Sequence, residues 1–306
     1  SGWAEVRRTE GVLNRGTPWE TPYYVQQSDQ PGPVVVLVGG IHGDEPAGAE
    51  AADQIRHWPI RSGTLAVLPR ANPPALAART RMVPDVERSV GNLDRNFPRA
   101  GRQESARGEP AQAIWGWVES WDPDWVVDLH EASGIRAAGS RAAGSSTIVL
   151  SSPAAEAAAA RLLEAVNASI SNEKKRFVQL GPPVDGSLAR AAGEHLGASA
   201  MILETSRQDL AAGADSAQTA EKDRRPSASS APSQPLSRRV RQHRLMVRAL
   251  LVHLGVLDQE VDVDRLGGRR AAPGKTWVAL YDAEGTGGKG ASAVDRILSE
   301  AGMRVR

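Results

Sequence analysis

The chain of 306 residues contains no cysteine. That absence excludes disulfides, thiol nucleophiles and thiolate metal sites. A charge imbalance is also missing: the 37 basic and 36 acidic residues nearly cancel, so no whole-molecule field draws in nucleic acid or anionic lipid. No apolar run reaches the length of a membrane span, and no charged-then-apolar signal pattern opens the chain. A soluble protein is expected, with no membrane or nucleic-acid partner and with the cytoplasm favoured, although the chain opens on Ser1 rather than Met. The hydrophobic share of 41% is ample for a core at this length. Any metal must rest on His, Asp and Glu.

Short apolar runs alternate with Ala-rich, helix-like stretches. Val34–Val38, Thr64–Leu68, Trp125–Leu129, Thr147–Leu150 and Ala200–Leu203 read as strands buried on both faces. Glu45–His57, Ala111–Ser120, Pro153–Ser171, Ser187–Leu196 and Leu236–Leu254 read as helices. The alternation predicts an α/β fold: a mainly parallel or mixed central sheet with helices on both faces. Residues 1–260 are expected to form one domain, with 211–235, rich in Ala, Ser, Gln and charge, as a disordered insertion. Beyond it, residues 271–306 carry a strand-like run, a Gly-rich turn and a helix-like stretch, and read as the truncated start of a second α/β unit.

Three residues suggest chemistry. His42 and Glu45 directly follow the run Val34–Ile41, and His130 closes the run Trp125–Leu129. Two buried strands that each deliver a histidine at the carboxyl end place both imidazoles on the sheet edge where ligands bind in open α/β folds. Two His and one Glu, with a fourth position left for water, is a common catalytic zinc arrangement. The plainer reading has His42 capping a turn and Glu45 at a helix N-terminus, where a carboxylate is favoured anyway. Asp128 lies two residues before His130 and points the same way. Either Asp128 or Glu131 could orient a ligand imidazole. Glu204 ends the strand Ala200–Leu203, as a general base or as one more loop acid.

Five elements occur in a particular order: Gly39–Glu45, Asn72 to Arg81, Arg95-Asn96-Phe97, Asp128-Leu129-His130, and Leu203-Glu204. Together they resemble the zinc carboxypeptidase superfamily, which includes carboxypeptidase A-like peptidases and the succinylglutamate desuccinylase/aspartoacylase deacylases. The resemblance implies one zinc ion on His42, Glu45 and His130, with Glu204 promoting attack by water. It also implies that Arg81 stabilises the oxyanion and that Arg95 holds a substrate carboxylate, with Asp94 and Asn96 beside it. Asn92 and Asp128 would support the ligand histidines. The implied reaction is hydrolysis of an amide bond in an N-acyl amino acid or small peptide.

The chain departs from the family in two places. The family usually reads Asp-x-Asn-Arg, whereas this chain has Asn92-Leu93-Asp94-Arg95. Asn92 then supports a histidine only as a neutral acceptor, and Asp94 either repels a substrate carboxylate or pairs with Arg95. The peptidases also use a late Tyr, and none lies between His130 and Glu204. Gly186-Ser187-Leu188 looks like the deacylase branch, Arg95–Pro98 like the peptidase branch. A metallocarboxypeptidase or a peptidoglycan-peptide amidase is the nearest rival, and a non-catalytic zinc-containing binding module the rival of another class. The Arg-rich stretch Arg238–Arg244 is expected to be a solvated helix face, since no aromatics interleave for base stacking. His57, His195, His243 and His253 are expected to have no metal role, and the eight Trp to pack. A homo-oligomer stays open.

Overall fold

Strands that are apolar on both faces need cover on both sides, and that requirement sets the architecture. The computed structural model describes residues 4–99, 101, 105–132, 143–207, 234–262, 264 and 277–280. In chain order the strands are β1 (Val6–Leu13), β2 (Thr21–Ser28), β3 (Val34–Gly39), β4 (Thr64–Leu68), β5 (Trp125–Ala132), β6 (Ser146–Val149), β7 (Val178–Leu180), β8 (Ser199–Ser206) and β9 (Trp277–Leu280). The helices are α1 (Pro46–Ile55), α2 (Pro73–Ala78), α3 (Glu109–Ser120), α4 (Pro153–Asn167), α5 (Leu188–Leu196) and α6 (Leu236–His253). Among the described residues the strands form one mixed sheet in the order β7-β6-β8-β5-β3-β4-β2-β1-β9.

Alternation along each central strand divides the core. Val35, Leu37, Leu65, Val67, Val127, Leu129, Met201 and Leu203 pack with α1, α4 and α6. Their neighbours Val36, Val38, Ala66, Leu68, Val126, Ala200 and Ile202 pack with α3 and α5. The expected α/β fold with helices on both faces is therefore the one observed. Trp115, Trp117 and Trp121 of the α3 region are buried in that second layer, and Trp117 stacks against Tyr23 of β2 at 5.5 Å.

β3 is the pivot. It pairs in parallel with β4 on one side and β5 on the other. The chain leaves β3 through α1 to reach β4, then crosses back to β5, so the loops after β3 and β5 diverge from one crevice. Ligand sites in open α/β sheets form at such a switch point, beyond the carboxyl ends of the strands.

Three elements went beyond the sequence expectation. In the antiparallel hairpin β1–β2, β1 alternates between buried and part-exposed residues and one of the buried positions of β2 is the polar Gln26, so neither strand stands out as an apolar run. Strand β9 lies parallel to β1 at the sheet edge; the rest of the expected second unit, and residues 211–233 of the expected insertion, lie outside the described residues. The third is α6, whose Arg-rich start is only in part the solvated face expected: Arg238 is exposed. Arg239 and Arg244 are buried, and Arg241 holds Asp264 through Nε and Nη2 at 2.8 and 2.7 Å. Positions 239, 243, 246 and 250 share one helical face, and that face packs into the layer of α1 and α4. Among the described residues no helix is long and apolar enough to cross a membrane.

Close packing of α1 on β5 depends on Gly48. A Cβ there would lie 2.4 Å from the Leu129 carbonyl oxygen. In an exposed helix Gly→Ala gains up to about 1 kcal/mol; here the clash reverses the sign. Gly48→Ala is expected to destabilise the fold by about 1–3 kcal/mol, read as a lower urea midpoint, and an unchanged or raised midpoint would show that α1 can shift off the strand.

Candidate metal centre

The loop that follows β3 is held from three directions. Asn72 is fully buried; its Oδ1 caps α2 through the Ala75 N–H at 3.3 Å while its Nδ2 donates to the Ile41 carbonyl at 3.1 Å. The Gly43 N–H donates to the Thr80 carbonyl at 2.9 Å. Arg207, just past β8, donates through Nη1 to the Asp44 carbonyl at 2.8 Å. Gly43 is required because a Cβ there would fall 1.8 Å from the Ala75 carbonyl oxygen. This loop presents His42, and Glu45 sits at the N-cap of α1 with Pro46 in the first helical position, where its missing N–H costs nothing.

His42, Glu45 and His130 converge. Nδ1 of His42 lies 3.0 Å from Glu45 Oε1 and 3.1 Å from Nδ1 of His130. Nδ1 of His130 lies 2.9 Å from Glu45 Oε2. All three side chains are at most 3% exposed. Their far nitrogens are pinned: Nε2 of His42 donates to Asn92 Oδ1 at 3.0 Å, and Nε2 of His130 donates to Asp128 Oδ2 at 2.8 Å. Because both of those partners accept, a neutral ring at either position carries its hydrogen on Nε2 and turns the Nδ1 lone pair toward the shared point.

Two lone pairs and a carboxylate facing one another demand positive charge between them. The electrostatics say the same. Burial would lower the His130 pKa, but Asp128 and Glu45 overcome it and raise it well above the ordinary value. Burial would raise Glu45, yet His130 and His42 hold it below the usual carboxylate range. Ligand atoms about 2.0–2.1 Å from a tetrahedral ion lie roughly 3.3 Å from one another, close to the spacings here. The donor set therefore fits a divalent cation of the kind that imidazole and carboxylate hold.

A second group, Asp94, Asp128 and His130, also lies close together; most of its atoms are already engaged, Asp128 Oδ1 being the exception. Asp94 Oδ2 takes Arg95 Nη1 at 3.0 Å and Oδ1 takes the Leu188 N–H at 3.3 Å, at the start of α5. Asp128 is fully buried; burial and nearby Asp94 raise its pKa while His130 opposes them. This cluster supports the ring of His130.

The remaining candidates lie around the trio in different states. Arg81 reaches Glu45 Oε1 at 2.5 Å with a side chain 45% exposed, at the rim. Glu204 is in register with His130 across β5 and β8. Burial pushes it up to about 8, reinforced by Glu45 and Asp94 and opposed by His130 and Arg81. Arg95 also donates to its neighbour's carbonyl, that of Asp94, at 2.5 Å. Asn96 is turned away from the trio and donates to the Val90 carbonyl at 2.7 Å. Of the two acids considered for orienting an imidazole, Asp128 does so and Glu131 does not. Glu131 Oε1 instead accepts the Ala47 N–H at 2.7 Å, in the first turn of α1, and Oε2 holds Arg239.

Sequence reasoning missed Arg239 and its role as the counter-charge of a buried acid next to a candidate ligand. The signal was present in the helical spacing, since 239 lies on the same face as Met246 and Leu250. His243 lies on that face too, with Nε2 3.2 Å from Thr205 Oγ1.

Residues 31–226 match the succinylglutamate desuccinylase/aspartoacylase catalytic domain. The chain belongs to that family, one of hydrolytic enzymes. A search of the curated proteins finds no match. Among solved structures, the Gln46His variant of the cell shape determinant protein Csd4 from Helicobacter pylori superposes with a TM-score of 0.57 at 21% identity, covering 77% of this chain and 55% of that one. The mDAP-bound form of Helicobacter pylori Csd4, described as a D,L-carboxypeptidase, gives 0.56 at 20% identity over 74% and 52% of the two chains. A succinylglutamate desuccinylase from a Silicibacter species gives 0.54 at 20% identity over 86% and 71%. At these identities the likeness is one of fold. The chain spans little more than half the length of the Csd4 structures it matches.

Two outcomes follow from the supports of the site. Asp128→Ala leaves His130 free to turn, so metal affinity is expected to fall about 10–100-fold, measured by competition with a chelator; unchanged affinity would deny Asp128 its orienting role. His243 is buried and its pKa is lowered from 6.5 to about 3, chiefly by burial and then by His130. Between those values the unfolded chain binds a proton that the native state refuses, so stability falls as pH drops from about 6.5 toward 3. His243→Gln is expected to flatten that part of the curve in urea melts at stepped pH, and a slope identical to the parent's would count against it.

Proposed function

We propose that this chain is a zinc-dependent hydrolase that cleaves an amide bond in an N-acyl amino acid or small peptide. The observation that carries the proposal is the convergence of two Nδ1 atoms and one carboxylate on a single buried point. His42, Glu45 and His130 hold the ion. Zinc, when bound, supplies a Lewis acid and a water acidified to about pKa 7. Residues 1–260 form the hydrolase domain in this reading.

The chain's own groups then divide the work. Glu204 takes the proton from the attacking water and returns it to the leaving nitrogen. Its carboxyl is raised by burial, and a divalent ion held by the trio would lower it. Arg81, anchored on Glu45 but exposed enough to swing, turns its guanidinium to the oxygen on which negative charge builds. Asp94 neutralises Arg95, so a substrate carboxylate offered to Arg95 must compete with a carboxylate already present. That pairing favours an acyl or amide group at this position over the free carboxylate that a carboxypeptidase would recognise.

Glu204→Gln is expected to retain zinc, measured by elemental analysis, and to lose at least about 10²-fold in turnover across a panel of N-acyl amino acids and short peptides. Hydrolysis at the parent's rate would remove Glu204 from the mechanism. The same panel separates deacylase from peptidase by its products.

A further inference from the structure

One row of residues crosses three strands at the carboxyl rim of the sheet. His130 on β5 is in register with Glu204 on β8, and Glu204 is in register with Ser146 on β6. Residues directly opposed on paired strands project to the same face, with Cβ atoms about 4.5–5.5 Å apart in an antiparallel pair. Ser146 and Glu204 are therefore side-chain neighbours on the face that also carries Asp128 and His130.

Both neighbours hold an unmatched polar atom, and the two atoms are not hydrogen-bonded to each other in this structure. Ser146 is fully buried, and its Oγ has no hydrogen-bond partner. The Oε2 of Glu204 is likewise buried and without a partner. Buried hydroxyls and carboxylate oxygens are nearly always satisfied, and an exception calls for an explanation. An alanine at 146 would fill the same place on the strand with nothing to satisfy. The chemistry of the pair is complementary: a carboxylate only accepts, whereas a hydroxyl rotates to donate or accept as required.

We propose that Ser146 is a positioning residue for Glu204: a turn about a side-chain torsion brings its hydroxyl to Oε2, and the cross-strand hydrogen bond then closed fixes the carboxyl so that Oε1 is left for the metal centre. The inference rests on the reading of Glu204 as the proton-transfer group. A rotation of one carboxyl by a single rotamer step moves its free oxygen by more than a hydrogen bond tolerates, so a group that must meet a water held elsewhere needs such a brace. Ser146 touches neither the substrate nor the metal in this arrangement. Its effect passes through Glu204 alone.

Threonine and valine have nearly the same shape and differ by the hydroxyl, so Ser146→Thr and Ser146→Val in the full zinc-loaded chain form the test. The threonine variant is expected to keep kcat close to the parent's. The valine variant is expected to lose about 10–100-fold in kcat with KM and zinc content unchanged. Equal losses in the two, or a loss confined to KM, would overturn the proposal. In a Glu204→Gln background, Ser146→Val should add nothing further; a full additional loss would also overturn it. A second readout needs no turnover: the 13C resonance of the Glu204 carboxyl, assigned by its disappearance in Glu204→Gln, should move in Ser146→Val and hold in Ser146→Thr. If Glu204→Gln itself retained turnover, the functional reading would fail, and this resonance would still decide whether the two side chains are joined. Should thermal melts show that both larger side chains disrupt β6, Ser146→Ala takes the place of valine in the resonance measurement, and an unmoved signal there would sink the contact.

Discussion

Everything near the site follows from the need to place positive charge between two imidazole nitrogens and a carboxylate held about 3 Å apart in a buried pocket. Such groups repel or compete for a proton unless a cation joins them. The fold does not let them relax apart. Asn92 and Asp128 occupy the far nitrogen of each ring, and the Glu131 N–H holds Glu45 Oε2 at 3.0 Å from the other side. The residual tension appears in the raised pKa of His130. A site whose ligands are oriented by such partners accepts a metal ion without first having to reorder its side chains.

The scaffold behind the ligands is built around the N-terminus of α1. Glu45 caps that helix in position but makes no side-chain cap bond, since its oxygens are turned to the histidines and Arg81. The helix is capped from outside instead, by Glu131 accepting the Ala47 N–H, which satisfies an orphan donor and places a carboxylate at the positive end of the helix dipole. A carboxylate buried this deeply needs a counter-charge, and Arg239 of α6 supplies it. Gly48 and Gly43 then permit the close approach of α1 to β5 and of the His42 loop to α2. Removing side-chain volume at two points brings two strands' worth of ligands to one place.

In the proposed reading, the substrate side is less like the family pattern than the metal side. With Asp94 and Asn92 exchanged, the acid is drawn to Arg95 and to the start of α5, and a neutral amide supports His42. The exchange moves negative charge away from one ligand ring and onto the residue that would greet a substrate carboxylate. The metal site keeps its support because an amide oxygen accepts from an imidazole N–H as a carboxylate does. Recognition of a free carboxylate has no such substitute.

The central strands were readable because β3, β4, β5 and β8 are buried on both faces and so are written as continuous apolar runs. The ligands were readable because they stand at the ends of those runs, where the chain must leave the sheet. The β1–β2 hairpin was not readable in that way, because polar and part-exposed residues interrupt both of its strands. The partners of the acids were also hidden. Asp128 and Glu131 are three residues apart on one strand, so they point to opposite faces; one meets a ligand ring and the other meets α6, and only the packed layers reveal what waits on each side. The Arg-rich start of α6 reads as a solvated face until the helix is docked and its phase carries Arg239 inward. Taken alone, the amino-acid order determined which strands lie at the centre and which side chains stand at their rim, because burial on two faces and the alternation of a strand are local consequences of residue type. The tertiary structure alone decided the pairing of those rim groups, because a hydrogen bond or ion pair depends on distances between segments that the chain order leaves far apart.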